Sequence, residues 1–490
     1  MITAGIDAGT QSIKVIVYDS LRKEIIASSS SPLDLITGDG GVREQKASWW
    51  IDALRSCFQN IPEDIRRSIE CLSVSGQQHG FVPLSENGEV LYNVKLWCDT
   101  STSAECEEIE EKLGGRKALS ERIGNPILPG YTASKILWLK KNHPDLYAKM
   151  AYVLLPHDYI NWYLSGEVVM ETGDASGTGL LNIFDRTWDK AICDAISPDL
   201  YSKLPKLLQK PGIIGHLTGK AAEELGLPES TAVASGGGDN MMSAIGTGAV
   251  SDGLVTMSLG TSGTLFASAS HPFHDKENRL ASFCSSHDTW LPLLCTMNCT
   301  VASETMRAMM EQGVKEFDEA AESAPVGSEG LMLLPFFNGE RVPDLPEGKG
   351  VLFGMTPDNV TKANIARATL EGVTFEFLLG LEAFRENGIA VNSITLTGGG
   401  SKSRFWRQLV ADMTGCPVRV PVSSEAAALG AALQGLWLME GGNISSIITE
   451  HIGFDDSKAA VPDKERHELY MELYGRWQRL VDASLQMYSV

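Results

Sequence analysis

Residues 2–19, ITAGIDAGTQSIKVIVYD, read as strand, glycine turn, strand, with Asp7 at the end of the first strand and Gly9-Thr10 in the turn. About half the chain away, residues 254–270, LVTMSLGTSGTLFASAS, repeat the pattern around Gly260-Thr261. One domain plan used twice is the simplest reading. The two copies differ where chemistry would sit, because Ser258 stands in the place of Asp7. Only the first keeps a carboxylate.

A chain of 490 residues exceeds one ordinary core, and at about 150 residues per domain it predicts two to three domains with a cleft between them. Hydrophobic residues at 43% and charged residues at 21% are those of a globular protein, while 48 glycines predict loops dense in exposed backbone. A net charge of −21 without any Lys/Arg run argues against nucleic acid and anionic lipid. No basic leader and no segment of about 18 apolar residues is present, so a soluble cytoplasmic protein is expected. Nine cysteines lack a Cys-x-x-Cys pair, and the spacing of Cys295 and Cys299 does not suit zinc; reduced, buried thiols are the expectation.

Around the hairpins, β-rich runs (SIECLSVSG, AYVLLPHDY, TAVASGGGDN, SITLTGGG) alternate with helical patterns, which predicts α/β layers. A long core helix is expected from near Ala363 through Ile365, Leu370, Val373, Phe377 and Leu381, stopping before Gly388. A second, opened by Pro462 and Asp463, should bury Leu469, Leu473, Trp477 and Leu480. Thr37–Gly41 and Asn338–Gly350 read as loops.

Six short stretches carry candidate chemistry. Asp7, Gly9, Thr10 and Gln11 place backbone N–H groups, a hydroxyl and a carboxylate where a phosphate can approach; an ordinary hairpin turn is the plainer alternative. Gly260, Thr261 and Ser262 repeat the glycine and hydroxyl chemistry. Gly399, Gly400 and Ser401 join a strand to a helix, where amide groups can meet a nucleotide. In Gly236-Gly237-Gly238-Asp239-Asn240, Asp239 falls in the first turn of a helix, whose dipole favours the ionised carboxylate of a general base; a simple helix cap fits equally. Ser75-Gly76-Gln77-Gln78-His79-Gly80 offers amide and imidazole groups suited to a polyol. Trp97 and Asp99 pair a ring with an acid, a common sugar-contacting combination, although Asp99 also suits the start of a helix. His157-Asp158 and Asp174–Thr178 read as polar loops. Walker, dinucleotide-binding and protein-kinase motifs are absent: GHLTGKA at 215–221 has the wrong spacing.

Taken in order, the Asp7 loop, GQQHG, WCDTST, GGGDN, GTSGT and TGGGSKS resemble the FGGY carbohydrate kinases over nearly the whole chain. HDY at 157–159, GDASGT at 173–178, NGERVPD at 338–344 and FGMTPDNVTKANIARATLEG from Phe353 extend the resemblance. It implies an α/β fold of two ribonuclease-H-like domains of the actin and hexokinase class flanking a deep cleft. Residues 1–245 would carry the sugar site and the metal-holding acid, and 246–490 the nucleotide site. It also implies ATP-dependent phosphorylation of a ketopentose, first D-xylulose to its 5-phosphate, with Mg²⁺; kinases for ribulose, fuculose or gluconate, and a silent sugar- or nucleotide-binding regulator, are the alternatives.

The resemblance assigns Asp7 to Mg²⁺ through water and Asp239 to catalysis as base. Gln78, His79, Asp239, Asn240, Trp97 and Asp99 would bind sugar; Gly9, Thr10, Gln11, Gly260, Thr261, Ser262, Gly399, Gly400 and Ser401 would bind nucleotide. Many members have Met in place of Gln78 and Asn-Asp-x-Arg in place of Cys98–Ser101. Glycerol kinases carry Arg-Glu at Gln78-His79, which disfavours glycerol. Sugar and ATP are the expected partners, without nucleic acid or membrane, and a homodimer is left open.

Overall fold

β1 (Ile2–Ala8) and β2 (Ser12–Asp19) form the expected antiparallel hairpin, with Asp7 opposite Lys14. The computed structural model describes residues 1–488. β3 (Glu24–Pro32) pairs antiparallel with β2, and β4 (Cys71–Gly76) runs parallel to β1. Beyond β4 lie β6 (Ala232–Ala234), parallel to it, and the edge strand β5 (Ile213–His216); the short β7 (Gly237–Gly238) pairs with the end of β4. All six residues of β4 are buried, as befits a parallel strand covered on both faces. The Ala47–Gln59 helix buries Trp50, Leu54 and Phe58 at helical spacing in the same core as Ile6, Val15 and Val74.

The second sheet repeats this plan. β8 (Gly253–Leu259) and β9 (Gly263–Ala267) are an antiparallel hairpin, β10 (Trp290–Thr296) lies antiparallel to β9, and β11 (Val391–Thr397) and β12 (Val418–Arg419) follow in parallel beside β8. The orders β3–β2–β1–β4–β6 and β10–β9–β8–β11–β12 agree in every direction.

Two compact units result: residues 1–250, 268–291 and 425–452, and residues 251–267, 292–424 and 453–490. The expected division at 245/246 differs from this, and the reason is packing. The Ala426–Glu440 helix, rich in alanine and glycine, lies so close to the Asp239–Thr247 helix that a Cβ on Gly430 would fall 1.8 Å from the Met242 carbonyl oxygen. Glycine there lets two backbones touch, which ties a distant stretch to the first unit.

The helix expected near Ala363 spans Lys362–Glu386, with Thr361 capping it through the Asn364 N–H. The last helix, Lys464–Tyr488, buries Trp477 as expected, together with Tyr470, Tyr474 and Val481, whereas Leu469 is exposed; apart from Trp477 the apolar face is one residue round from the expected stripe. His157-Asp158 and Asp174 are not loop residues. They belong to the Pro156–Ser165 and Thr172–Ala175 helices. Among the described residues no helix is long and apolar enough to cross a membrane.

Candidate active site

Asp7 on β1 stands opposite Ser75 on β4, which in turn stands opposite Gly237 on β7. Three parallel strands therefore finish side by side, and the chain leaving β4 carries Gln77, Gln78 and His79 while the chain leaving β7 carries Asp239 and Asn240. Ligand sites of parallel sheets lie beyond such carboxyl ends. Asp239 opens its helix as expected.

Asp7 bears on Asp239. Asp7 accepts a hydrogen bond from Ser75 Oγ at 3.1 Å. Both side chains keep some solvent contact, yet protein surrounds them on most sides. That crowding raises Asp7 to about 6. Asp239 rises to about 7, through burial first and then the charges of Asp7 and Asp174. Asn240 donates from its backbone N–H to Asp239 Oδ1 at 2.7 Å and from Nδ2 to Gln78 Oε1 at 2.6 Å. Gln78 Nε2 in turn donates to the Met241 sulfur at 3.1 Å, a weak acceptor easily exchanged for a hydroxyl.

His79 has a left-handed backbone, φ 63°. Its carbonyl accepts from Thr132 Oγ1 and from Lys135 Nζ, each at 3.1 Å. Tyr131 and Phe283 flank the ring at centroid distances of 5.0 and 5.4 Å, and Gly177 lies flush against it: a Cβ there would sit 1.7 Å from His79 Cε1. Nδ1 of His79 is 3.4 Å from Asp174 Oδ1. The other Asp174 oxygen is 3.0 Å from His157 Nδ1, and His157 Nε2 is 3.0 Å from Asp158 Oδ1. Burial opposes charge on His157, but the two carboxylates prevail and hold its pKa well above the ordinary value. Burial likewise lowers Lys135, to about 7.

Sequence reasoning missed Lys135 and left His157 and Asp174 without a role. No sequence pattern marks Lys135: Thr132, Ser134 and Lys135 do not all lie on one side of the Thr132–Asn142 helix, and only their full burial in the fold sets them apart. Nothing local marks Asp174 as the partner of His79, because the contact joins distant parts of the chain.

Thr10 donates to Gln77 Oε1 and accepts from Trp97 Nε1, both at 3.0 Å. Gln45 Nε2 donates to the Thr10 carbonyl at 2.8 Å. Gln11 is exposed at the turn. Asp99 differs from its expected place in the sugar site. It is fully buried, and its oxygens accept from the Arg43 N–H at 2.8 Å, the Ser101 N–H at 3.1 Å and Ser101 Oγ at 2.6 Å. The acid braces its own loop, and the helix after it begins only at Ser103.

In the second unit, Ser258 on β8 faces Thr264 on β9 and Thr397 on β11, so the Gly260–Ser262 turn and the Gly398–Gly400 turn leave neighbouring strand ends. The Gly260 carbonyl accepts from the Thr300 N–H at 2.8 Å, and the Thr261 carbonyl from the Cys299 and Val301 N–H groups at 3.2 and 3.3 Å. In a planar trans peptide the C=O and the following N–H point opposite ways. Anchoring these carbonyls therefore turns the Thr261 and Ser262 amides away from the Thr300–Met309 helix, and both residues are exposed. Gly398 has φ 80° and a Cβ on Gly399 would meet nothing within 4 Å, whereas Ser401 is bonded back to the Gly398 carbonyl at 2.7 Å. Open glycine backbone is what a phosphate or nucleoside needs to approach closely.

A duplicated α/β unit, each copy with a glycine hairpin at its strand ends, defines a class of phosphoryl-transfer folds. Residues 2–246 match the N-terminal domain of the FGGY family of carbohydrate kinases, and residues 255–439 its C-terminal domain. The chain belongs to the FGGY family of carbohydrate kinases, and thus to the ATP-dependent sugar kinases with the actin/hexokinase-like fold. The xylulose kinase of Haemophilus influenzae is 41% identical over 482 residues, 96% of this chain and 98% of its own. The crystal structure of a "xyloylose kinase" from Brucella ovis matches with a TM-score of 0.92 at 28% identity, covering 99% of this chain and 100% of that one. A gluconate kinase from Lactobacillus acidophilus matches with a TM-score of 0.92 at 25% identity, covering 99% of each chain.

Proposed function

We propose that this chain phosphorylates a ketopentose, D-xylulose foremost, with ATP as donor, yielding D-xylulose 5-phosphate and ADP. The similarity to xylulose kinases supports the substrate. The observation that carries the chemistry is the convergence of Gln78, His79, Asp239 and Asn240 at the ends of β4 and β7, beside Asp7. Gln78, Asn240 and His79 bind sugar hydroxyls. Asp239 takes the proton of the acceptor hydroxyl as its oxygen bonds to the γ-phosphorus and the bond to ADP breaks; a carboxyl near 7 exchanges its proton at neutral pH. The turns at Gly9–Gln11, Gly260–Ser262 and Gly399–Ser401 bind the nucleotide. Asp99 supports its loop, and Trp97 reaches the site through Thr10.

Asp7 is the residue to hold Mg²⁺ through water. Its carboxyl is pushed toward neutrality where it stands and itself raises Asp239, so a cation would relieve both acids. Among the described residues no group of three or more His, Cys, Asp or Glu forms a protein-only metal cage, which suits an ion that takes one or two carboxylates and otherwise phosphates and water. When bound, Mg²⁺ would neutralise charge on the transferred phosphoryl group. ATP as donor and nine unbridged thiols support a cytoplasmic setting.

The test is a coupled ADP-release assay over D-xylulose, ribulose, fuculose, gluconate and glycerol, scored by kcat/KM. D-Xylulose should lead. A gluconate preference would replace the substrate reading while leaving the family intact.

A further inference from the structure

The Asn338–Asp344 stretch has no part in the chemistry above, yet Glu340 within it is nearly fully buried. A carboxylate in that position needs several donors, and three converge on it. Oε1 accepts from the Met297 N–H at 2.7 Å and the Arg341 N–H at 2.8 Å, and Oε2 accepts from Asn298 Nδ2 at 2.9 Å. Asn298 cannot turn its amide over, because Nδ2 also donates to the Gly339 carbonyl at 2.7 Å while Oδ1 accepts from the Asn338 N–H at 3.1 Å. The residues that follow Asn298 are Cys299, Thr300 and Val301, the three whose N–H groups hold the Gly260 and Thr261 carbonyls. A continuous path of hydrogen bonds and two or three peptide units thus runs from Glu340 to the turn. Beside it the fully buried Glu376 is raised well above the ordinary range, by burial first and then by Glu340.

We propose that Glu340 is a positioning residue for the Gly260–Ser262 turn: by fixing Met297 and Asn298 it sets the first turn of the Thr300–Met309 helix, which aims the Thr261 and Ser262 amides at the triphosphate. The proposal rests on the reading of that turn as part of the nucleotide site. Its effect is on ATP and not on sugar, since no contact in the path touches Gln78, His79 or Asp239.

Glu340→Gln is the informative variant. It keeps an acceptor for Met297 and Arg341 but sets an N–H group against Asn298 Nδ2. We expect KM for ATP to rise ~5- to 10-fold, the size of one or two lost hydrogen bonds, with KM for the sugar within ~2-fold. Glu340→Ala should raise KM for ATP further; if it fails to fold, the Gln variant still decides. Thr261→Asp, which puts a negative charge on the turn itself, separates the proposal from its premise. If Thr261→Asp weakens ATP but folded Glu340→Gln binds ATP normally, or if Glu340→Gln raises both KM values equally, the positioning role is wrong. If Thr261→Asp leaves ATP binding unchanged, the nucleotide reading of the turn falls, and the proposal with it.

Discussion

The β1–β2 and β8–β9 hairpins have the same neighbouring strands, although the second turn is one residue shorter, Ala8 pairing with Ile13 but Leu259 with Gly263, and they hold their turns from behind by different means. In the first, side-chain amides do the work: Gln45 binds the Thr10 carbonyl and Gln77 binds the Thr10 hydroxyl. In the second, the amides are those of a helix's first turn, joined to the Gly260 and Thr261 carbonyls. The side chains on the strand ends differ as well. Asp7, opposite Lys14 and Ser75, is an acid crowded by another acid; Ser258, opposite Thr264 and Thr397, is neutral among hydroxyls. One backbone plan can thus serve two duties, with charge concentrated in one copy and backbone donors in the other.

The largest effect should come from the acid beside the first hairpin. Asp239→Asn should lower kcat by ~10²- to 10⁴-fold, the usual worth of a general base, while calorimetry shows sugar binding largely retained. Wild-type turnover in that variant would remove Asp239 from the chemistry and much of the contrast between the units.

His79→Ala should come next. Sites built to hydrogen-bond a hydroxyl discriminate by as much as ~10⁴-fold, so kcat/KM for the ketose should fall steeply while the slow sugar-free ATPase is kept. Equal loss in both activities would mean that the ring, wedged between Tyr131 and Phe283, serves the fold of the first unit instead.

A smaller effect concerns stability. A carboxyl whose folded pKa lies above its unfolded value of about 3.8 favours the folded state when protonated, and that advantage is lost as pH rises from about 4 through its folded pKa near 7. Asp239→Asn carries no such charge. In metal-free buffer its Tm relative to wild type should therefore rise between pH 5 and pH 8, as followed by circular dichroism; a difference that stays flat with pH would show that Asp239 is not crowded by Asp7 and Asp174.

Both hairpins, the GGGDN turn and the Lys362–Glu386 helix were legible because each is written in local pattern: β-rich runs around glycine, or apolar residues at three and four. What escaped depends on contacts between distant residues. The Ala426–Glu440 helix is apolar all round, so no periodicity announces that it belongs with the first unit. Asp99 reads in the sequence as a sugar contact or a helix cap and is instead enclosed by Arg43 and Ser101. His157 follows Pro156 into a helix, where its ring meets Asp174 from another element. In the last helix the expected Trp477 is buried, but the larger rings of Tyr470 and Tyr474 take the core places that the leucines suggested.

The division of labour between the hairpins is tested most directly by measuring kcat at saturating ATP and sugar, across a Mg²⁺ titration, for Asp7→Ala and Ser258→Ala side by side. Asp7→Ala should show a low kcat and a raised Mg²⁺ requirement with sugar affinity retained, while Ser258→Ala stays within ~2-fold of wild type, as expected for a substitution that removes no charge. Unchanged Mg²⁺ dependence in Asp7→Ala, or an equal loss in both variants, would contradict the account.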